Sequence, residues 1–380
     1  MKKRWGFHPQ DVAVPRLADD LRTLYAQGTG GRRFRLRFAD FLRDQAGHAV
    51  DGESLFMTNG SSQGLQMVLD LFTSEGDTIF VENPTYFLAL AIFKGRGLNV
   101  VGVETDEQGI NVEDLEAKLR VHGRLNKKPP VVYVIPTFSN PTGVTLSMER
   151  RHRLLDLSRR TEAKIVADEV YQFLAFGDQH RGSVDHNVIT LNSFSKIMAP
   201  GLRLGWLQAS EPLLKHIEEY GPIQSGGGLN PVVLQLVHHA LEATDKRGQG
   251  VLAQHLASLP TASLTSLSSH GADGAAAGEA RRRGVCFDRP SGGYFVWLRL
   301  PDLLLEASDD ASLRPHEAFA RACRDRGVAY QPGHRFTAAS PPSSAWENYA
   351  RLSFAYYSPD EIAEGVRRLA SVIDDLATRQ

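Results

Sequence analysis

From about Glu53 to Gly205, short and uniformly apolar β-branched runs alternate with stretches whose apolar residues recur near every 3.6 positions. A chain patterned this way has few options, and the simplest is a parallel sheet buried on both faces with helical crossovers. Strands are expected over 79–82, 100–103, 131–135, 164–167, 188–191 and 204–207, and helices over 62–72, 84–94, 111–120 and 148–161. Asn111 and Ser147 stand where side-chain oxygens cap helix N-termini.

Past this region the pattern changes. Residues 243–284 are rich in Ala, Ser and Gly and read as a hinge or loose loop. A strand at 292–298, a helix at 315–326, a strand at 351–355 and an amphipathic helix at 360–378 then suggest a second, smaller lobe. The expected fold class is α/β: a large lobe (45–245) with a mostly parallel, seven-stranded type of sheet, and a discontinuous α+β small lobe (1–44 and 246–380). A chain of 380 residues is long enough for both.

Composition narrows the function classes. With 42% hydrophobic and 23% charged residues the chain reads as a globular protein, and a net charge of −1 argues against bulk binding to nucleic acid or lipid. Cys286 and Cys323 cannot form a disulfide framework and have no metal-ligand spacing, which points to a reducing cytoplasm. The basic start at Met1 is not followed by the apolar run of a signal peptide, and no window approaches a membrane span.

Several segments carry chemistry. Asn59-Gly60-Ser61-Ser62-Gln63-Gly64 outlines a phosphate cradle at a helix mouth, although Asn-Gly-Ser alone is equally an ordinary turn and cap. Ser193-Phe194-Ser195-Lys196 through Arg203 places one lysine between serines and an arginine just past an apolar strand. Partial burial and nearby positive charge would favour its free amine, the form that makes an imine, while Arg203 offers a planar fork for phosphate. Asp168 ends a buried strand at the rim where open α/β sheets bind ligands, and can pair with a cationic ring nitrogen or cap a turn. Tyr171 can face the same site or simply pack. Pro141 restricts Asn140 to an extended conformation, which aims its amide.

In order along the chain, the cradle, Tyr86, Asn140, Asp168, Tyr171, Ser193, Ser195, Lys196, Arg203 and Arg351 resemble the aspartate aminotransferase superfamily of pyridoxal-phosphate enzymes. The likeness is greatest to its class I/II members of the 2-aminoadipate, kynurenine and aromatic or branched-chain type, and runs from about Tyr25 onward. The resemblance implies that Lys196 binds the cofactor aldehyde and then shuttles a proton. It implies that Asp168 keeps the pyridine nitrogen protonated, that Asn140 and Tyr171 hold the ring's 3-oxygen, and that Tyr86 stacks on the ring. Ser61, Ser62, Ser193, Ser195 and Arg203 match the phosphate group, and Arg351 the binder of the substrate α-carboxylate. Tyr25 falls where relatives reach the phosphate of a neighbouring subunit, which implies a homodimer, and Pro332, Gly333 and Phe336 match a loop that closes over substrate.

The resemblance thus implies transfer of an L-amino acid's amino group to a 2-oxoacid such as 2-oxoglutarate. Ser62 stands where many relatives have Gln. The run Arg32-Arg33-Phe34-Arg35-Leu36-Arg37 is unusually basic, and either meets an acidic substrate side chain or is a solvated charge run. A C–S lyase of the same superfamily would use the same Lys196 and Asp168. An aminotransferase-like effector domain of a transcription regulator would carry a winged helix-turn-helix ahead of Tyr25, where about two dozen residues stand.

Overall fold

The computed structural model describes residues 29–46, 49–176, 187–226, 228–268, 283–302, 315–338, 346–355 and 357–377. Eight strands form one large sheet: β1 (Leu55–Thr58), β2 (Thr78–Asn83), β3 (Asn99–Asp106), β4 (Gly109–Ile110), β5 (Val131–Val134), β6 (Lys164–Asp168), β7 (Val188–Ser193) and β8 (Gly205–Gln208). Their spatial order is β1-β8-β7-β6-β5-β2-β3-β4. The five from β7 to β3 in that order are parallel, whereas β8 is antiparallel to both β7 and β1, and β4 to β3. The sheet is thus α/β and mostly parallel as expected, with eight strands rather than seven. Two members lie beyond the six runs expected as strands: β1, and the two-residue β4, which is too short to leave a pattern in sequence.

Period-two alternation sends neighbouring residues of each strand into opposite cores. Ile79, Val81, Tyr133, Val166 and Ile189 join one cluster with Leu65, Val68 and Phe93 from helices Ser61–Phe72 and Phe87–Gly95. Phe80, Val132, Val134, Ile165 and Ala167 join another with Leu115 and Leu119 of Val112–His122 and Leu154 and Leu157 of Met148–Thr161. The caps are in place: Asn111 Oδ1 accepts from Asp114 N–H at 3.0 Å and Ser147 Oγ from Arg150 N–H at 3.3 Å. Losing such a cap typically costs about 1 kcal/mol.

A second sheet of order β11-β12-β10-β9 is antiparallel throughout and contains β9 (Cys286–Phe287), β10 (Phe295–Arg299), β11 (Gln331–Pro332) and β12 (Tyr349–Ser353). Helices Pro315–Asp325 and Pro359–Ala377 cover it, burying Phe319, Cys323, Leu369, Val372 and Ile373 against Leu298 and Leu300. Of the span 1–44 that sequence assigns to this lobe, the described part packs elsewhere: Phe34, Phe38, Phe41 and Leu42 of helix Arg32–Ala46 meet Leu55, Met57 and Trp206 of the large sheet.

One expectation is corrected. Within the supposed loose loop at 243–284, residues Val251–Ser268 form an 18-residue α-helix. Leu252 and Leu256 are buried and Leu259 half-buried on one stripe against the aromatic cluster of Phe38 and Trp206. The small residues between those leucines are compatible with a helix, since Ala is its best former, and they hid the i, i+4, i+7 signal.

Candidate active site

The parallel strands deliver their C-terminal ends to one rim, and the strand order reverses between β2 and β5. Such a crevice is where open α/β sheets hold ligands. Tyr86 follows β2, Asn140 follows β5, Asp168 ends β6 and Lys196 follows β7. The antiparallel β8 starts at the same rim, with Gly205 paired to Thr58 on one side and Ser193 on the other.

Lys196 lies in a turn anchored by its apolar neighbours. Phe194, Ile197 and Met198, at i, i+3 and i+4, are buried in the cluster around Trp206, which leaves Lys196 to the other side. Met198 N–H donates to Phe194 O at 2.8 Å and Ser195 N–H to Ser193 Oγ at 3.1 Å. The Lys196 Nζ lies 5.9 Å from the ring centroid of Tyr171 and 6.0 Å from that of Tyr294, whose hydroxyl donates to the Lys196 carbonyl at 2.6 Å. Burial lowers its pKa below the usual lysine value; the Asp168 carboxylate opposes this, and Arg351 and Arg203 add to it. Each lowering cause enlarges the fraction present as a nucleophilic free amine.

Asp168 is buried, and Tyr133 donates its phenol to Oδ2 at 2.7 Å. Its other oxygen, Oδ1, is buried with no hydrogen-bond partner among the described residues. Burial pushes the carboxyl up to about 6, against the Tyr133 hydrogen bond and the Lys196 charge. Behind it, Glu82 Oε2 accepts from Ile135 N–H at 2.8 Å, and burial raises that carboxyl to about 8. At neutral pH Glu82 is mostly protonated and Asp168 mostly ionised, so the negative charge stays at the rim.

At the other end of the crevice, Gly60 opens helix Ser61–Phe72 with φ +84°, and a Cβ on it would lie 2.7 Å from Arg203 Nη2. Arg203 Nη1 also donates to Ser195 Oγ at 3.3 Å and Pro200 O at 3.4 Å. Ser61 and Ser62 occupy the first helical turn, whose N–H groups lack intrahelical acceptors. A bare glycine, a helix N-terminus and a guanidinium together make an anion seat. Gly205 has to be glycine here, because a Cβ would fall 2.5 Å from Asn192 O and 2.9 Å from Gly60.

The small lobe supplies the facing wall. Arg351 Nη1 donates to Asn140 Oδ1 at 2.7 Å, while its Nε is buried and unpartnered among the described residues. Its guanidinium lies 4.1 Å from the Phe295 ring and 5.2 Å from Phe336. The turn Gly333–Phe336 docks on the segment after β2: Thr85 N–H donates to Phe336 O at 2.9 Å and Ala338 N–H to Asn83 Oδ1 at 3.0 Å. Burial, then the Asp168 charge, raises the phenol pKa of both Tyr86 and Tyr171.

The structure therefore gathers Ser61, Ser62, Tyr86, Asn140, Asp168, Tyr171, Ser193, Ser195, Lys196, Arg203 and Arg351 around one crevice, while Tyr25 lies outside the described residues. The arginines at 32–37 turn elsewhere: Arg32 and Arg35 pair with Glu53 at 2.7 Å, Arg33 with Glu242 at 3.3 Å, and Arg37 donates to Leu241 O. Two further site residues escaped the sequence reading. Tyr133 was detectable as the one hydroxyl in an apolar, fully buried strand, where it must find a partner. Tyr294 left no such mark.

Residues 9–369 match the profile of the family described as Aminotransferase class I and II. The chain belongs to that family. Among its relatives, aromatic-amino-acid aminotransferase 1 of Thermococcus litoralis is 33% identical over 92% of this chain and 80% of its own. The 2-aminoadipate transaminase of Thermus thermophilus is 30% identical over 86% and 77%. The crystal structure of kynurenine aminotransferase from Pyrococcus horikoshii superposes with a TM-score of 0.75 at 28% identity, covering 97% of this chain and 89% of that one.

This class I/II aminotransferase is a transaminase and uses pyridoxal phosphate. The crevice fits that cofactor: the unpartnered Asp168 Oδ1 suits a protonated ring nitrogen, and the seat at Gly60 and Arg203 suits the phosphate. No described helix is long and apolar enough to cross a membrane.

Proposed function

We propose that this enzyme moves the amino group of an aromatic, 2-aminoadipate-type or branched-chain L-amino acid to a 2-oxoacid such as 2-oxoglutarate, by a ping-pong sequence. The observation that carries this reading is the Lys196 amine, its pKa lowered, between an anion seat at Gly60 and Arg203 and a carboxylate binder at Arg351. Bound pyridoxal phosphate supplies an electron sink that makes the substrate Cα–H acidic.

This chain's residues do the rest. Gly60, Ser61, Ser62, Ser193, Ser195 and Arg203 hold the phosphate end. Asp168, its Oδ2 occupied by Tyr133, presents Oδ1 to the ring nitrogen and keeps a proton there. Tyr86 covers the ring face, and Asn140 and Tyr171 orient the ring by its 3-oxygen. Arg351 binds the substrate α-carboxylate, for which a guanidinium fork is suited. Lys196 Nζ accepts the Cα proton and redelivers it, acting as base and then acid. The same groups serve both halves because the donor's oxoacid leaves before the acceptor enters.

The active unit on this reading is a homodimer, with Tyr25 reaching the partner's phosphate seat. The two free cysteines, Cys286 and Cys323, accord with a cytoplasmic setting. The test is a spectral titration of the cofactor-loaded protein with a panel of L-amino acids, followed by addition of 2-oxoacids. Aromatic, aminoadipate-type or branched-chain donors should bleach the visible band, and 2-oxoglutarate should restore it. Pyruvate release from a cysteine conjugate with no oxoacid added would instead assign a lyase.

A further inference from the structure

Arg150 and Arg151 follow one another in the first turn of helix Met148–Thr161, about 100° apart around its axis, and they do different work. Arg150 grips the turn between β3 and β4 at the sheet edge: Nη1 and Nη2 donate to Asp106 at 2.7 and 2.6 Å, and Nη1 to Gly109 O at 2.7 Å. Among the described residues, none of its partners belongs to the crevice. Arg151 precedes the buried Leu154 by three residues and so lies on the helix face turned to the sheet. A guanidinium in that place must be met by acceptors. Its Nε donates to Leu146 O at 3.1 Å, Nη2 to Pro136 O and Thr137 Oγ1, both at 3.0 Å, and Nη1 to Glu169 Oε1 at 3.2 Å.

These four acceptors mark two places. Pro136 and Leu146 close the base of the loop that carries Asn140: Leu146 N–H donates to Pro136 O at 2.8 Å, and within the loop Ser139 N–H donates to Val144 O at 2.8 Å. Glu169 is the residue after Asp168, and its own N–H donates to Leu191 O at 2.9 Å. One planar group therefore ties the loop bearing Asn140 to the strand end bearing Asp168. The loop needs such a hold. Phe138 is buried with φ +51°, a left-handed conformation that a bulky residue keeps only where its surroundings enforce it. The small lobe presses on it from the other side, so closely that a Cβ on Gly293 would lie 2.6 Å from Phe138 Cβ.

We propose that Arg151 is a positioning residue of this aminotransferase, which fixes Asn140 relative to Asp168. This rests on the reading above, in which those two groups hold the cofactor ring by its 3-oxygen and its nitrogen. Asn140 Oδ1 is taken by Arg351, which leaves its NH₂ to donate to the ring. Glu169 balances the Arg151 charge, and the pair is only 11% and 5% exposed. A lysine could keep that pairing, but a point charge cannot span the loop base and Glu169 together.

The test compares Arg151→Lys with Arg150→Lys, the same chemical change one position away, in the cofactor-loaded enzyme. Arg151→Lys should lower kcat roughly 10- to 100-fold, the cost of displacing a positioned group by about 1 Å, with KM for amino donors changed less than about threefold. A pH titration of the visible band gives a readout that needs no turnover. Its midpoint should rise by about one pH unit in Arg151→Lys, because an Asn140 amide drawn away from the 3-oxygen leaves more charge there to hold the neighbouring proton. Arg150→Lys should lower Tm yet leave kcat and the midpoint where they are. Thr137→Val removes one acceptor without changing shape, and should move both in the same directions by less. Unchanged kcat and midpoint in Arg151→Lys, or equal changes in Arg150→Lys, overturn the assignment; should Arg151→Lys fail to fold, unchanged values in Thr137→Val do so. Asn140→Ala checks the underlying reading by itself. If its midpoint stays put, the ring-holding role fails, whereas a shift there with none in Arg151→Lys refutes only the clamp.

Discussion

On one side of the crevice, Asp168, Asn140 and Lys196 stand at the ends of parallel strands buried on both faces, packed between two helical layers. On the other, Arg351 stands on a four-stranded antiparallel sheet that reaches the large lobe through contacts such as Thr85 N–H to Phe336 O and Phe176 N–H to Ser291 O, both 2.9 Å. The first side is over-determined by packing, which suits groups that must hold a pKa and an angle. The second is a docked wall, which suits groups that select ligands. Interactions made on the first side should appear mainly in kcat, and those on the second mainly in KM.

Mutations can break this division. Lys196→Ala should lose roughly 10²–10⁴-fold or more in turnover, the range for a positioned acid–base group, and steady-state assays retaining full turnover would remove its role. Asp168→Ala should follow, with kcat reduced roughly 10²-fold or more, because the charge opposite the ring nitrogen is gone. By contrast Arg351→Ala should raise KM for every carboxylate substrate, roughly 10- to 100-fold, with a smaller change in kcat. A variant that lost kcat while keeping KM would show that the small-lobe wall takes part in chemistry.

Smaller effects sharpen the picture. Tyr133→Phe removes a donor that lowers the Asp168 pKa, so that pKa should rise further and the acid limb of the activity profile should move to higher pH. Cofactor binding should weaken by about tenfold, as for loss of one hydrogen bond to a charged group. The smallest expected effect concerns stability. Glu82 has a folded pKa of about 8 against an ordinary 4.5, so the folded state binds its proton more tightly. Its contribution is fully present below the ordinary value, and declines as pH rises toward 8. Glu82→Gln keeps an acceptor for Ile135 N–H and should flatten the fall in Tm between pH 5 and pH 8; an unchanged slope would show that the residue is not titrating there.

The two sides also differed in how far sequence revealed them. Strand ends at Asp168 and Ser193 were readable because long apolar runs stop abruptly at polar residues, and the ordered motifs at Asn140, Lys196 and Arg203 supported one another. The antiparallel entry of β8 was not, since its apolar run looks alike in either direction. Helix Val251–Ser268 was misread because alanine and serine dilute its leucine stripe. Tyr294 was missed for a different reason: its contact with Lys196 spans about 100 residues of chain, which no local pattern records.

Tyr294 immediately precedes Phe295, the first residue of β10, and β10 is the strand paired with the one bearing Arg351. Its hydroxyl grips the main chain of Lys196. A tilt of the small sheet as a ligand is seized would tug the neighbouring lysine by that handle, joining capture of the acid and aim of the amine into one mechanical event.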